Sequence, residues 1–161
     1  AERLAELHVS YRASGIVENH GGGRLRAGDR APDAELREGD DRARRLFELL
    51  REPRHVLLLF LGAASDASLK GERIGTALSS LPSGMIDTYR ISRGASDLPA
   101  ELRDLSGLAH AAYGLMEGGV VLVRPDGYLG YRNDSFDPVP LLAYLGRVFS
   151  WDFSPERPVA G

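Results

Sequence analysis

The sequence predicts an α/β domain in which a central mixed sheet carries helices on both faces and is closed by a β-hairpin and a C-terminal helix. The apolar run VLLLFL at residues 56–61 is typical of a strand buried on both faces. The stretch VVLVRPDGYLGYR at residues 120–132 combines a buried strand, a Pro-Asp-Gly turn and a second strand with one exposed face. A helical stripe over residues 66–81 leads to a strand at 85–91, which predicts a right-handed βαβ unit.

The segment before the central strand has two interpretations. Residues 34–37 and 42–45 flank the acidic stretch 38–41, which predicts a β-hairpin. Alternatively, Asp41 caps a helix that starts at Arg42. In both cases leucines at helical spacing predict a helix that ends before Pro53.

The elements after the second strand complete the order. Residues 102–114 are predicted to be helical, with a break at 106–107 as an alternative. Asp137-Pro138 opens the final helix, because proline is favoured at the first helical position. The resulting order, hairpin-α-β-α-β-α-β-β-α, matches a thioredoxin-like domain with a sheet of four to five strands.

The predicted domain covers residues 28–150. Residues 1–27 are expected to be a helix end and a flexible linker from an upstream domain, because leucines one helical turn apart are followed by three consecutive glycines at 21–23. A chain that opens within a helix indicates a fragment of a longer protein. Residues 151–161 are predicted to form a C-terminal tail.

Composition excludes several classes of function. The 161 residues contain no cysteine, which rules out disulfides, thiolate metal ligands and dithiol redox chemistry. A net charge of -3 indicates neither a nucleic-acid partner nor a membrane surface. The longest apolar run has six residues, too few to span a bilayer, and no leader segment is visible, so we expect a cytoplasmic protein.

The loop after the central strand is the reactive position of a thioredoxin-like domain. Here it reads GAASDAS at residues 62–68, with Ser65 in place of a thiol and Asp66 as a helix cap. Residues 117–119 lack the proline expected before the hairpin. An enzyme that uses Ser65 is the weakest hypothesis, because no base or oxyanion donor is identifiable.

The four histidines, His8, His20, His55 and His110, show no metal-binding spacing. Each is therefore predicted to pack at the surface or at a strand edge. We assign no catalytic, cofactor-binding or metal-binding residue.

Five motifs carry a resemblance to a known family. They are SYRASGIV at 10–17, GDRAPDAEL at 28–36, RLFELLR at 45–51, HVLLLFLG at 55–62, and AYGL with GGVVLVRPDGYLGYR within 112–132. Together they resemble the C-terminal region of FAD-dependent aromatic hydroxylases, the class A flavoprotein monooxygenases that act on phenols and polyketide rings. The resemblance implies a thioredoxin-like domain that lacks redox cysteines, as this chain does.

The resemblance further implies a parent oxidoreductase that uses FAD and NAD(P)H, neither of them held by this chain. The partners would be upstream flavin and substrate domains, or a second copy in a homodimer. The alternative is a free-standing, cysteine-free thioredoxin-like module for binding or oligomerisation. Six residues are predicted to dock against a partner: Tyr11, Arg12, Tyr131, Arg132, Trp151 and Phe153.

Overall fold

The computed structural model describes residues 17–63, 66–94 and 102–153. Within these ranges the chain forms eight strands and four helices. The strands are β1 (Glu18–His20), β2 (Glu35–Glu38), β3 (Ala43–Arg45), β4 (His55–Gly62), β5 (Ile86–Arg93), β6 (Leu102–Asp104), β7 (Gly119–Val123) and β8 (Leu129–Asn133). The helices are α1 (Leu46–Leu49), α2 (Ala67–Ala77), α3 (Leu108–Ala112) and α4 (Pro138–Phe149).

All eight strands belong to one mixed sheet in the order β1-β8-β7-β4-β5-β6-β2-β3. The central strand β4 pairs with β5 in parallel and with β7 antiparallel, and α2 connects β4 to β5. β7 and β8 pair antiparallel. The βαβ unit, the closing hairpin and the thioredoxin-like fold predicted from the sequence are therefore confirmed.

The core lies on both faces of β4, as the uninterrupted apolar run predicted. Because side chains alternate along a strand, Leu58 and Phe60 enter one apolar cluster, and Leu57, Leu59 and Leu61 enter the other. The first cluster includes α3, and the second includes α2 and α4. Among the described residues, no helix has the length and apolar character needed to cross a bilayer.

The predicted size of the sheet, four to five strands, is wrong, since short strands extend it at both edges. β2 and β3 form the predicted hairpin, and α1 begins only at Leu46, so a helix starting at Arg42 is also wrong. At the other edge, β1 lies parallel to β8, within the segment predicted to be a flexible linker. A strand of three residues is too short for its periodicity to stand out in the sequence.

Residues 102–104, predicted to be helical, instead form β6 between β5 and β2. The helix α3 starts only at Leu108, after Gly107 with φ 77°. At the start of α2, Asp66 occupies the N-cap position, but its side chain makes no capping hydrogen bond; its carboxylate instead lies 3.1 Å from Nζ of Lys70. Asp137 does cap α4, accepting a hydrogen bond from the N–H of Val139 at 3.0 Å.

Candidate functional site

The loop that carries the reactive thiol in redox members of this fold begins here at Gly62, the last residue of β4. Ser65, which the sequence singled out in this loop, lies outside the described residues. The backbone N–H of Gly62 donates a hydrogen bond of 3.1 Å to Nε2 of His110, on α3. A histidine, supplied from a different element, therefore contacts the backbone at the start of this loop.

The His110 ring is fixed by Asp104 at the end of β6. Nδ1 of His110 and its backbone N–H each lie 2.8 Å from the same oxygen, Oδ2 of Asp104. Both side chains are fully buried. The ring of Phe60 packs edge-on against the imidazole, with 5.1 Å between centroids. Asp104, His110 and Gly62 therefore form one buried polar cluster, which we call the His110 cluster.

The hydrogen bonds determine what this cluster can do. Because Nε2 accepts from an amide N–H, the ring proton resides on Nδ1 and is donated to the Asp104 carboxylate. Burial opposes ionisation of Asp104, yet the hydrogen bonds from His110 outweigh it and lower the pKa of this carboxyl. A His–Asp pair resembles a general base, but Nε2 is occupied and inaccessible to a substrate. The arrangement is structural.

The prediction that every histidine lies at the surface or a strand edge is wrong for His110. Its place on a five-residue helix beside a buried strand end gave no periodic signal. His55, at the start of β4, is half-buried and packs edge-on against Phe149 with 4.9 Å between ring centroids. His20, on β1, lies 2.7 Å from a carboxylate oxygen of Glu18. His8 lies outside the described residues.

A second buried polar cluster surrounds Arg132 on β8, whose exposure is 0%. Its guanidinium donates three hydrogen bonds, all to backbone carbonyl oxygens. Nε donates to Tyr113 at 3.1 Å, one terminal nitrogen to Gly22 at 2.8 Å and the other to Gly114 at 2.9 Å. Burial lowers the pKa of Arg132. These bonds join the segment that enters the domain to the C-terminal end of α3.

The docking residues predicted from the sequence differ in how deeply the structure buries them. Tyr131 and Arg132 are buried in the domain, so their prediction as a docking surface is corrected. Tyr131 packs against Tyr144 of α4 at 5.4 Å between centroids, and its exposed-face assignment failed because α4 covers that face of β8. Trp151 and Phe153 are half-buried, and Phe153 packs on the apolar cluster that includes α2 and α4. Tyr11 and Arg12 lie outside the described residues.

Three exposed apolar side chains lie before, within and after α3. Leu105, Leu108 and Met116 are 46%, 69% and 39% exposed. Leu105 and Leu108 flank Gly107, and a Cβ built on Gly107 would lie 3.8 Å from the methyl carbon of Met116. We call these three residues the α3 patch. The backbone of Glu117, just beyond Met116, packs against Gly62, so Met116 is followed at once by a contact with the end of β4.

The described glycine run does not form the turn that usually holds a cofactor's pyrophosphate. A pyrophosphate is usually held where a glycine-rich turn connects a strand to a helix N-terminus. The glycine run after β1 leads to no helix, and the carbonyl of Gly22 is bound by Arg132. Nor does the described part of the chain contain a group of three His, Cys, Asp or Glu able to hold a metal ion.

Comparisons with solved structures agree with the fold described above. The thioredoxin domain of a thiol-disulfide oxidoreductase from Bacteroides vulgatus superposes with TM-score 0.55 at 13% identity, over 74% of this chain and 99% of that one. The flavin-dependent monooxygenase PieE, solved with FAD and substrate, superposes with TM-score 0.65 at 20% identity, over 90% of this chain and 26% of that one. Both likenesses show the fold, a thioredoxin-like domain.

The sequence comparisons are more specific. Residues 25–150 match the family "Aromatic-ring hydroxylase, C-terminal". A 4-methyl-5-nitrocatechol 5-monooxygenase from Burkholderia sp is 36% identical over 110 residues, which are 67% of this chain and 18% of that protein. The chain spans between 18% and 24% of the length of the curated relatives it matches. The chain belongs to the aromatic-ring hydroxylase C-terminal family, as the motifs in the sequence predicted.

Proposed function

We propose that this chain is the non-redox, thioredoxin-like C-terminal domain of an FAD- and NAD(P)H-dependent aromatic-ring monooxygenase. Its role is structural, in contacts with the upstream domains or within a dimer. The observation that carries the proposal is the His110 cluster. A buried imidazole binds the N–H of Gly62 where redox members of the fold begin their reactive loop. The relatives are about four times as long as this chain, which leaves room for catalytic domains elsewhere.

The proposed division of labour follows from the chemistry of the cofactors. A flavin bound upstream would react with oxygen after hydride transfer from a reduced nicotinamide. This chain contributes no group to those steps. We further propose a cytoplasmic location, which is where a nicotinamide-dependent hydroxylase finds its reductant. The alternative function is that of a free-standing module for binding or oligomerisation, built on the same fold.

We place the contact with the upstream domains at the α3 patch. Leu108 is 69% exposed, Leu105 is also exposed, and Met116 reaches Gly107, the residue before Leu108. A cluster of exposed apolar side chains on a soluble domain marks a site of protein contact. The occupant we favour is the rest of the parent chain, because it is covalently linked and therefore present at high effective concentration. A second copy of the chain is the competing occupant.

The experiment is a flavin titration of the purified chain, followed by absorbance, together with its mass in solution. We expect no bound flavin at isolation, no change in the spectrum of added FAD, and a monomeric mass. A flavin band that survives gel filtration would overturn the proposal. A stable dimer would indicate that the α3 patch contacts a second copy of the chain and not the upstream domains. A chain that binds neither flavin nor the separately produced upstream domains would favour the free-standing module.

A further inference from the structure

The segment that leads into the domain is glycine-rich, and such segments are commonly flexible. The structure gives residues 21–23 a defined path instead. Immediately before them, His20 is paired with Asn133 in the parallel register of β1 and β8. Five residues after Gly23, the backbone N–H of Gly28 donates a hydrogen bond of 2.7 Å to the carbonyl of Leu129, also on β8. The glycine run, which we call the strap, therefore lies between two points at which the chain is bonded to β8.

The middle of the strap is bound by Arg132. The carbonyl of Gly22 accepts a hydrogen bond of 2.8 Å from this guanidinium, whose other two hydrogen bonds go to Tyr113 and Gly114 after α3. No carboxylate of the described residues forms an ion pair with Arg132. Burying a guanidinium costs free energy unless its N–H groups are hydrogen-bonded. The Gly22 carbonyl therefore stabilises the buried Arg132, and Arg132 in turn holds the strap.

The glycines provide the space that this contact needs. A Cβ on Gly114 would lie 2.9 Å from a terminal nitrogen of Arg132, and a Cβ on Gly23 would lie 3.1 Å from the same nitrogen. Both residues have positive φ, 66° and 121°, a conformation that favours glycine. The requirement for glycine at 23 is therefore explained by fitted packing against Arg132 and by backbone conformation, and not by flexibility.

We infer that Arg132 latches the strap, so that the chain enters this domain through a fixed connection to α3 and not through a flexible hinge. The latch joins the two buried polar clusters, since α3 carries His110 and ends in the carbonyls that bind Arg132. One consequence rests on the proposed function: a latched strap would fix the direction from which the upstream domains join this one. Arg132 is a positioning residue for that connection.

The test is the backbone order parameter of the strap amides, measured by nitrogen-15 relaxation on this chain and its variants. In the wild type we expect values near those of rigid backbone, about 0.85, at Gly22 and Gly23. Arg132→Lys keeps the charge but cannot bind three diverging carbonyls, and we expect values below about 0.6 at the same amides. Arg103→Lys is the matched control, since Arg103 also donates to a backbone carbonyl, that of Glu38, on a distant strand, and this variant also keeps the charge.

A wild-type strap with order parameters below about 0.6 would overturn the inference, as would an Arg132→Lys strap as rigid as the wild type. Amides of β4 and β7 serve as internal references for an intact core. If Arg132→Lys does not fold, Gly23→Ala provides the second variant, because it keeps Arg132 and crowds its guanidinium. Gly23→Ala should lower the order parameters of the strap amides and leave those of β4 and β7 unchanged. None of these outcomes depends on flavin binding or interdomain docking, so the latch and the proposed function fail separately.

Discussion

Nε2 of His110 lies 3.1 Å from the backbone nitrogen of Gly62 and accepts its hydrogen bond. This contact joins α3 to the end of the central strand at the point where redox members of the fold begin their reactive loop. Asp104 holds the other side of the ring at 2.8 Å, so a carboxylate, an imidazole and an amide form one connected cluster without solvent contact. Several consequences for stability can be measured directly.

Replacing His110 by Phe should destabilise the domain severely. The ring contact with Phe60 would be kept, but Asp104 would lose its side-chain partner and the N–H of Gly62 its acceptor. A buried polar group left without its hydrogen-bond partner costs about 1–3 kcal/mol, and more when the group is charged, as the Asp104 carboxylate is. Urea unfolding of the two proteins measures this loss in the free energy of unfolding.

The matched control for this variant is His20→Phe, because the His20 side chain is 41% exposed and its contact with Glu18 is at the surface. We expect a change of less than about 1 kcal/mol there. The double variant with Asp104→Leu and His110→Phe should recover part of the loss, since it removes the unpaired carboxylate. A single variant no less stable than the control would show that the cluster contributes nothing.

His55 should make stability depend on pH. Burial and the nearby charge of Arg124 lower the pKa of His55 below its usual value of 6.5. As pH falls below about 6.5, the unfolded chain therefore takes up a proton that the folded chain resists. Stability contributed by neutral His55 is fully present above this pH and is lost as pH falls through the folded-state pKa.

His55→Phe keeps the aromatic contact with Phe149 and removes the titrating group. Thermal unfolding midpoints measured between about pH 5 and pH 7.5 should decline less steeply on acidification in this variant than in the wild type. Identical slopes in the two proteins would show that His55 is not protonated more readily on unfolding. At lower pH both proteins should lose stability together, because the pKa values of Asp33 and Asp104 are also lowered in the fold.

The hydroxyl of Tyr113 should contribute a measurable hydrogen bond. It donates to the carbonyl of Pro32 at 2.6 Å, and burial raises the pKa of this phenol, so it remains a donor at neutral pH. Tyr113→Phe removes only the hydroxyl and leaves the partly buried carbonyl of Pro32 without its donor, at a cost of about 0.5–1.5 kcal/mol in the free energy of unfolding. Tyr89→Phe, on the half-buried strand β5, is the control and should change stability by less than about 0.5 kcal/mol.

A charge on the α3 patch should weaken docking of the upstream domains without unfolding this one. Leu108→Asp introduces a carboxylate where the side chain is 69% exposed, and Val139→Asp does the same at equal exposure on α4. In the parent protein, limited proteolysis between the domains should accelerate about tenfold or more for Leu108→Asp and remain unchanged for Val139→Asp. Equal effects of the two variants would place the contact elsewhere.

The architecture was accessible from the sequence where the patterns were long. The run at 56–61 predicted a strand buried on both faces because six consecutive apolar residues leave neither face for solvent. The Pro-Asp-Gly turn located the β7–β8 hairpin. Residues 102–104 were predicted as helix because three residues carry too little periodicity, and their strand state depends on pairing with β5 and β2.

The sequence by itself determined the thioredoxin-like core, the absence of thiol chemistry and the family. Those follow from local patterning, residue composition and motifs, which do not require contacts to be known. Only the tertiary structure decided that Arg132 is buried, that His110 binds Gly62, and that a glycine run is a fitted strap. Each of these depends on hydrogen bonds between a side chain and the backbone of a segment as many as 110 residues away in the sequence. No local sequence pattern indicates which distant segments will come into contact.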